Sequence, residues 1–170
     1  WLAVTCYTLQ IYFDFSGYSD MAIGLAFMFG ITLPLNFFSP YKAASIRVFW
    51  RRWHVTLSRF LQKLLYIPMG GNRYGMARTV AALIGTMAIG GLWHGAGWNF
   101  VIWGLLHGAY LSVNHVWIRL VLHRAGSPVD RVRTSPAMSR LAHAAGVLLT
   151  FAAVSFAWVY FRAPDVQTAS

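Results

Sequence analysis

From Thr79 to Leu122 the chain runs for roughly 44 residues with a single Lys or Arg, Arg119, and no Asp or Glu. A helix needs about 20 apolar residues to cross the hydrocarbon of a bilayer, so this run has the length of two spans joined by a tight reversal. Glycines at 90, 91, 95 and 97 mark the expected break, which leaves spans of about 79–94 and 99–122. Non-helical backbone at membrane depth is tolerated only where protein buries it or where it lines a cavity. His94 lies in this break, between Trp93 and Gly95. An ionisable side chain in such a setting is a functional residue by default.

The composition agrees with a membrane protein. Of 170 residues, 58% are hydrophobic and 11% charged, where a soluble domain carries about a quarter charged residues. Fourteen Lys and Arg face four acids, Asp14, Asp20, Asp130 and Asp165, for a formal charge of +10. That balance alone would suit nucleic acid. The basic residues instead fall in two blocks, about 40–78 and 123–140, between apolar segments, as cytoplasmic loops do. The expected partners of this charge are therefore membrane lipids with anionic headgroups, and no nucleic acid. The single cysteine, Cys6, excludes an internal disulfide and a multi-thiolate metal site. The sequence starts at Trp1 rather than Met and shows no charged n-region ahead of a short apolar core, so no signal peptide is read in it, and the chain is expected to be a piece of a longer protein.

The expected organisation is all-α and multi-span. Residues 1–31 form a first span, unusual in carrying Gln10, Asp14 and Asp20. Carboxylates at that depth are either functional or anchors in a polar interior network. Leu33 to Tyr41, with two prolines, ends it. Over about 44–66, Ile46, Phe49, Trp50, Trp53, Leu57, Phe60, Leu61, Leu64 and Leu65 recur at helical spacing among Arg47, Arg51, Arg52, Arg59 and Lys63. This pattern predicts an amphipathic helix that lies at the interface or re-enters a protein cavity. A last span covers about 141–161 and ends in Trp158, Tyr160 and Phe161 before Arg162. Two spans separate the basic loops, so both fall on one side, the cytoplasmic side of an inner membrane by the positive-inside rule.

Common enzyme signatures are absent: no Gly-x-Ser-x-Gly elbow, no phosphate-binding glycine loop with Lys, no His-Glu-x-x-His. His107, His115 and His123 are eight residues apart, which rotates each ring by roughly 80° about a helix axis. They do not converge on a metal, and no metal site is expected; they read as packing between helices or at the interface. His94 differs in its neighbours. Gly95 and Gly97 permit close approach, and Trp93 and Trp98 would wall the site against water. Desolvation favours the neutral imidazole, and a neutral imidazole can take a proton from a hydroxyl. His94 is thus either a general base or a group that satisfies helix-breaking backbone. His54 shares a helical band with Trp50 and Leu57, facing the apolar side away from the arginines, and taken alone reads as an ordinary half-buried histidine. Asn72 and Arg73, after the Gly70-Gly71 pair, either bind phosphate or cap the next helix.

Four ordered segments carry a resemblance: YFDFSGYSDMAIG (Tyr12–Gly24), FWRRWHVTLSRFL (Phe49–Leu61), YIPMGGNRYG (Tyr66–Gly75) and GGLWHGAGWNFVIWGLLHG (Gly90–Gly108). Together they resemble the membrane-bound O-acyltransferase (MBOAT) family, in the branch that holds the alginate O-acetylation membrane subunit and the D-alanyl transfer protein of teichoic-acid modification. The resemblance implies a multi-helix membrane core with a funnel to a buried site, of which this chain is a fragment, because family members are much longer. It makes His94, of the Trp-His-Gly motif, the catalytic histidine and His54 the family's second histidine. Asn99 stands where a His-x4-Asp arrangement would put the carboxylate. An amide there can fix the imidazole tautomer but cannot stabilise an imidazolium as a carboxylate does.

The implied reaction moves an acyl group, expected to be acetyl, from a cytoplasmic thioester donor to a hydroxyl of an extracytoplasmic polysaccharide or envelope polymer. The donor is acetyl-CoA or an acyl-carrier-protein thioester, and no cofactor is bound. Arg51, Arg52, Asn72 and Arg73 are expected at the donor's phosphates, with His54 and Asn99 positioning the acyl group or the developing oxyanion. An acyl carrier protein and a periplasmic or extracellular acyltransferase are the expected protein partners. A non-catalytic transporter or channel subunit, which also places polar residues in broken helices, is the alternative.

Overall fold

The computed structural model describes residues 1–122 and 136–169, and all regular structure among them is helical. His123 and most of the second basic loop lie outside the described residues. Helix α1 (Leu2–Met28) ends in a Schellman closure, in which the Ile31 and Gly30 amides donate to Ala26 and Phe27 carbonyls and Gly30 takes the left-handed φ of 74° that glycine adopts without strain. The chain returns along α1 through a single turn at Pro40–Lys42. There the Tyr41 hydroxyl donates to the Thr8 carbonyl at 2.6 Å. Helix α2 (Ile46–Trp50) starts at Ser45, whose hydroxyl accepts from the Val48 amide. Next come α3 (Val55–Leu61), which widens into a π turn at Gln62–Tyr66, then α4 (Met76–His94), α5 (Trp98–Trp117) and α6 (Pro136–Arg162).

The amphipathic segment is not one helix. Its periodicity is real, since Ile46, Phe49, Trp50, Trp53, Leu57 and Leu61 are buried. The helix nonetheless breaks at residues 51–54, and His54 sits at φ 40°, ψ 59°. The cause is the preceding loop. In an unbroken helix the Val55 and Thr56 amides would bond to the carbonyls of residues 51 and 52. Here Val55 donates to the Asn36 carbonyl and Thr56 to the Asn36 side chain, while the Arg52 carbonyl accepts from Phe38. His54 is therefore not on a continuous helical band with Trp50 and Leu57.

Gly90 and Gly91, expected in the break, lie inside α4. The reversal is confined to residues 95–97. Gly91 faces α5, where an added methyl would strike the Phe100 carbonyl, and Gly104 faces the Met87 carbonyl in the same way. Gly108 continues the contact, its added methyl falling 2.8 Å from the Ile84 Cα. Small residues thus let the α4 and α5 backbones touch, as helices do where no hydrophobic effect drives them together.

Helix α6 packs across α5 and α1, and the core between them is aromatic. Phe49, Trp50, Trp53, Trp103 and Trp158 are all buried, with Val154 and Ala157 filling the gaps. His107, fully buried, accepts a hydrogen bond at Nδ1 from the Trp50 indole at 3.3 Å. Two helices, α4 and α6, are long and apolar enough to cross a membrane. Helices α1 and α5 have the length, 27 and 20 residues, but more polar groups interrupt them.

Candidate active site

Two cavities flank the segment from Trp50 to Ser58. The smaller, about 520 Å³, is lined by Tyr7, Gln10, Ile11, Asp14 and Phe15 of α1, by His54, by Trp93 and His94 at the end of α4, and by Phe161 of α6. Four parts of the chain thus meet around two imidazoles. His94 is the last residue of α4, and its ring is caged edge to face by Trp93 at 4.9 Å, Trp103 at 5.2 Å and Phe161 at 5.1 Å. Such a cage fixes the ring plane through packing and supplies no competing hydrogen bond.

His54 is held differently. The Phe15 ring meets it at 4.8 Å and 87°, and Thr56 Oγ1 lies 3.4 Å from Nδ1. Half-buried, its imidazole is pushed below the ordinary pKa by desolvation, so the neutral ring prevails at neutral pH.

The larger cavity, about 870 Å³, opens on the other side. Arg47, Arg51, Arg59, Arg73 and Arg119 line it together with Asn72, Gln62, Tyr66 and His115, and no lining residue is acidic. Several guanidinium groups around a cleft without a carboxylate have the charge and the paired N–H donors that suit a multiply charged anion. Arg51, Asn72 and Arg73 are brought together there. Arg52, grouped with them on sequence grounds, lies outside the lining and contributes its carbonyl to Phe38.

The sequence model of the membrane-bound O-acyltransferase family matches residues 1–156. The chain belongs to this family. It is 51% identical over 169 residues to a peptidoglycan O-acetyltransferase of Helicobacter pylori, covering 99% of this chain and 30% of that protein. Identity to the probable alginate O-acetylase AlgI of Pseudomonas aeruginosa is 43%, over 99% of this chain and 29% of the relative. A teichoic acid D-alanyltransferase of Streptococcus thermophilus is 28% identical over 91% of this chain and 39% of its own length. The MBOAT chain therefore spans about a third of the length of these relatives.

Two residues of this MBOAT segment, Trp98 and Asn99, sit otherwise than expected beside His94. Trp98 is 76% exposed and walls nothing within the described residues. Trp93 does contact the imidazole, though it too is 63% exposed. Asn99 is buried, and its amide donates to the Ala163 carbonyl at 2.9 Å, tying the start of α5 to the end of α6. Its side chain has a structural partner, and the space beside Gly95 and Gly97 is filled by Phe100 and Asn99 themselves.

Other residues at the cavity carried little sequence signal. Asp14, left open between function and anchoring, lines the histidine cavity, whereas Asp20 does not. Gln10 is one helical turn from Asp14, so the two share a face, a relation the spacing contained. Asn36 and Thr56 reach His54 through a loop contact that no periodicity encodes. Among the described residues, no three His, Cys or carboxylate side chains gather as a metal would require.

Proposed function

We propose that the chain is the catalytic part of a membrane-embedded O-acyltransferase, in which His94 is the general base. One observation carries this: His54 and His94, forty positions apart in sequence, line a single small cavity. In the proposed reaction His94 takes the proton of an acceptor hydroxyl as its oxygen attacks the thioester carbonyl. The carbon–sulfur bond breaks, and the departing thiolate leaves with the proton held by His94. Asp14 and Gln10, at the same cavity, present hydrogen-bonding groups suited to the other hydroxyls of a sugar acceptor.

The arginine cleft would hold the phosphates of the donor, acetyl-CoA or a carrier protein's phosphopantetheine arm, with Arg51 and Arg73 as direct ligands. This puts the cleft on the cytoplasmic side of a multi-pass protein in the inner membrane. The relatives' names, which cite peptidoglycan, alginate and teichoic acid, support an envelope polymer as acceptor. A periplasmic acyltransferase partner would complete transfer to the polymer. The test is the full-length protein with His94→Ala, followed by mass spectrometry of envelope polymers. Polymer acylation disappears while expression and membrane insertion persist; undiminished acylation refutes the mechanism.

A further inference from the structure

His54 lies in the left-handed region, at φ 40° and ψ 59°, a conformation that a residue with a Cβ keeps only where its surroundings over-determine it. The surroundings here come from one residue eighteen positions away. Asn36 accepts the Val55 amide on its carbonyl at 3.1 Å. Its side-chain Oδ1 accepts both the Thr56 amide, at 3.1 Å, and the Thr56 hydroxyl, at 2.7 Å.

These bonds leave no freedom in the protons. A backbone amide is an obligate donor, so the Asn36 atom that it meets is the oxygen and not the nitrogen of the side-chain amide. An amide oxygen cannot donate, so the Thr56 hydroxyl spends its only proton on it. Toward His54 Nδ1, 3.4 Å away, the hydroxyl has lone pairs alone to offer. The ring nitrogen facing an acceptor carries the proton, and the hydrogen bond made by one nitrogen sets the state of the other.

We infer that Asn36 and Thr56 hold His54 in the Nδ1-protonated tautomer, so that its Nε2 serves acyl transfer as a hydrogen-bond acceptor for a hydroxyl of the acceptor other than the one whose proton His94 takes, rather than as an oxyanion donor. Asn36 and Thr56 are then positioning residues. The role in transfer rests on the acyltransferase reading of this cavity; the tautomer does not. Of the two roles expected for His54, positioning the acyl group or the developing oxyanion, the assignment speaks against the second, because a neutral ring protonated at Nδ1 has no N–H left at Nε2.

The test uses the full-length protein labelled with nitrogen-15 in its histidines, together with transfer assays. His54→Asn identifies the His54 ring signals by their loss, and asparagine tolerates the left-handed backbone. Wild-type protein and Thr56→Ser show a protonated Nδ1 and full transfer. In Thr56→Val the proton redistributes toward Nε2 and transfer falls about tenfold, the scale of one lost hydrogen bond. A wild-type His54 protonated at Nε2, or a tautomer unchanged in Thr56→Val, overturns the assignment. Undiminished transfer in His54→Asn, with the wild-type proton on Nδ1, overturns the role in transfer alone and counts against the wider reading of the cavity.

Discussion

The two cavities beside the Trp50–Ser58 segment are built on opposite plans. The larger is open, ringed by long flexible arginines from α2 and the turn after it, from α3, from the Gly-Gly-Asn-Arg turn and from just beyond α5. The smaller is walled by aromatic rings, and each of its histidines is clamped, His94 by three rings and His54 by one ring and a hydroxyl. Charge recognition tolerates loose geometry because Coulomb attraction falls slowly with distance. Proton transfer does not, since a base must lie within hydrogen-bond reach of the proton it takes. The difference teaches which cavity should set affinity and which should set rate.

Substitutions that separate affinity from rate test this division. The largest effect is expected from His94→Gln, which should lower kcat by about a hundredfold or more, the contribution of a positioned general base, while KM for the thioester donor stays near the wild-type value. A comparable rise in KM would merge the two cavities into one function. Removing Arg51 or Arg73 by alanine should do the reverse, raising donor KM about tenfold with kcat preserved. Raised salt should weaken donor binding in the wild type more than in either variant, because exposed charges are screened.

A third substitution strikes the scaffold that both cavities share. Gly104→Ala forces α4 and α5 apart at the Met87 carbonyl, and overpacking of this kind costs about 1–3 kcal/mol. Thermal melts of the detergent-solubilised full-length protein read the loss. Transfer should suffer through kcat, since α4 carries His94. The smallest effect concerns pH. His54 has its pKa lowered in the folded state, so on acidification the unfolded chain takes up a proton there first. Stability is therefore lost as pH falls below the ordinary histidine value of about 6.5. His54→Asn should show a smaller drop in Tm between pH 7.5 and 5.5 than wild type, and an equal drop would place the acid sensitivity elsewhere.

Much of this architecture was legible from residue order. The nearly uncharged run from Thr79 predicted two helices and a reversal at glycine, and both exist; what failed was the assignment of glycines to it. Gly90 and Gly91 look like Gly95 and Gly97 in sequence, yet the first pair lies within α4 and only the second lies in the turn. A glycine signals that a side chain is absent without saying whether a backbone turn or a neighbouring helix needs the space. For a related reason the sequence did not show that the reversal points Trp98 outward and turns the Asn99 side chain toward the end of α6.

The order of residues by itself determined an all-helical membrane chain and the family, because these depend on hydrophobic length, charge placement and motif. Tertiary structure alone decided that His54 and His94 share a cavity with Asp14, that Arg52 stays out of the cleft, and that the helix breaks before His54. Each of those outcomes turns on contacts between residues far apart in the sequence. Asn36 illustrates the reason. Its carbonyl and side chain take hydrogen bonds that local periodicity would have kept within one helix, and competition between a local and a distant partner is settled only when the chain has folded.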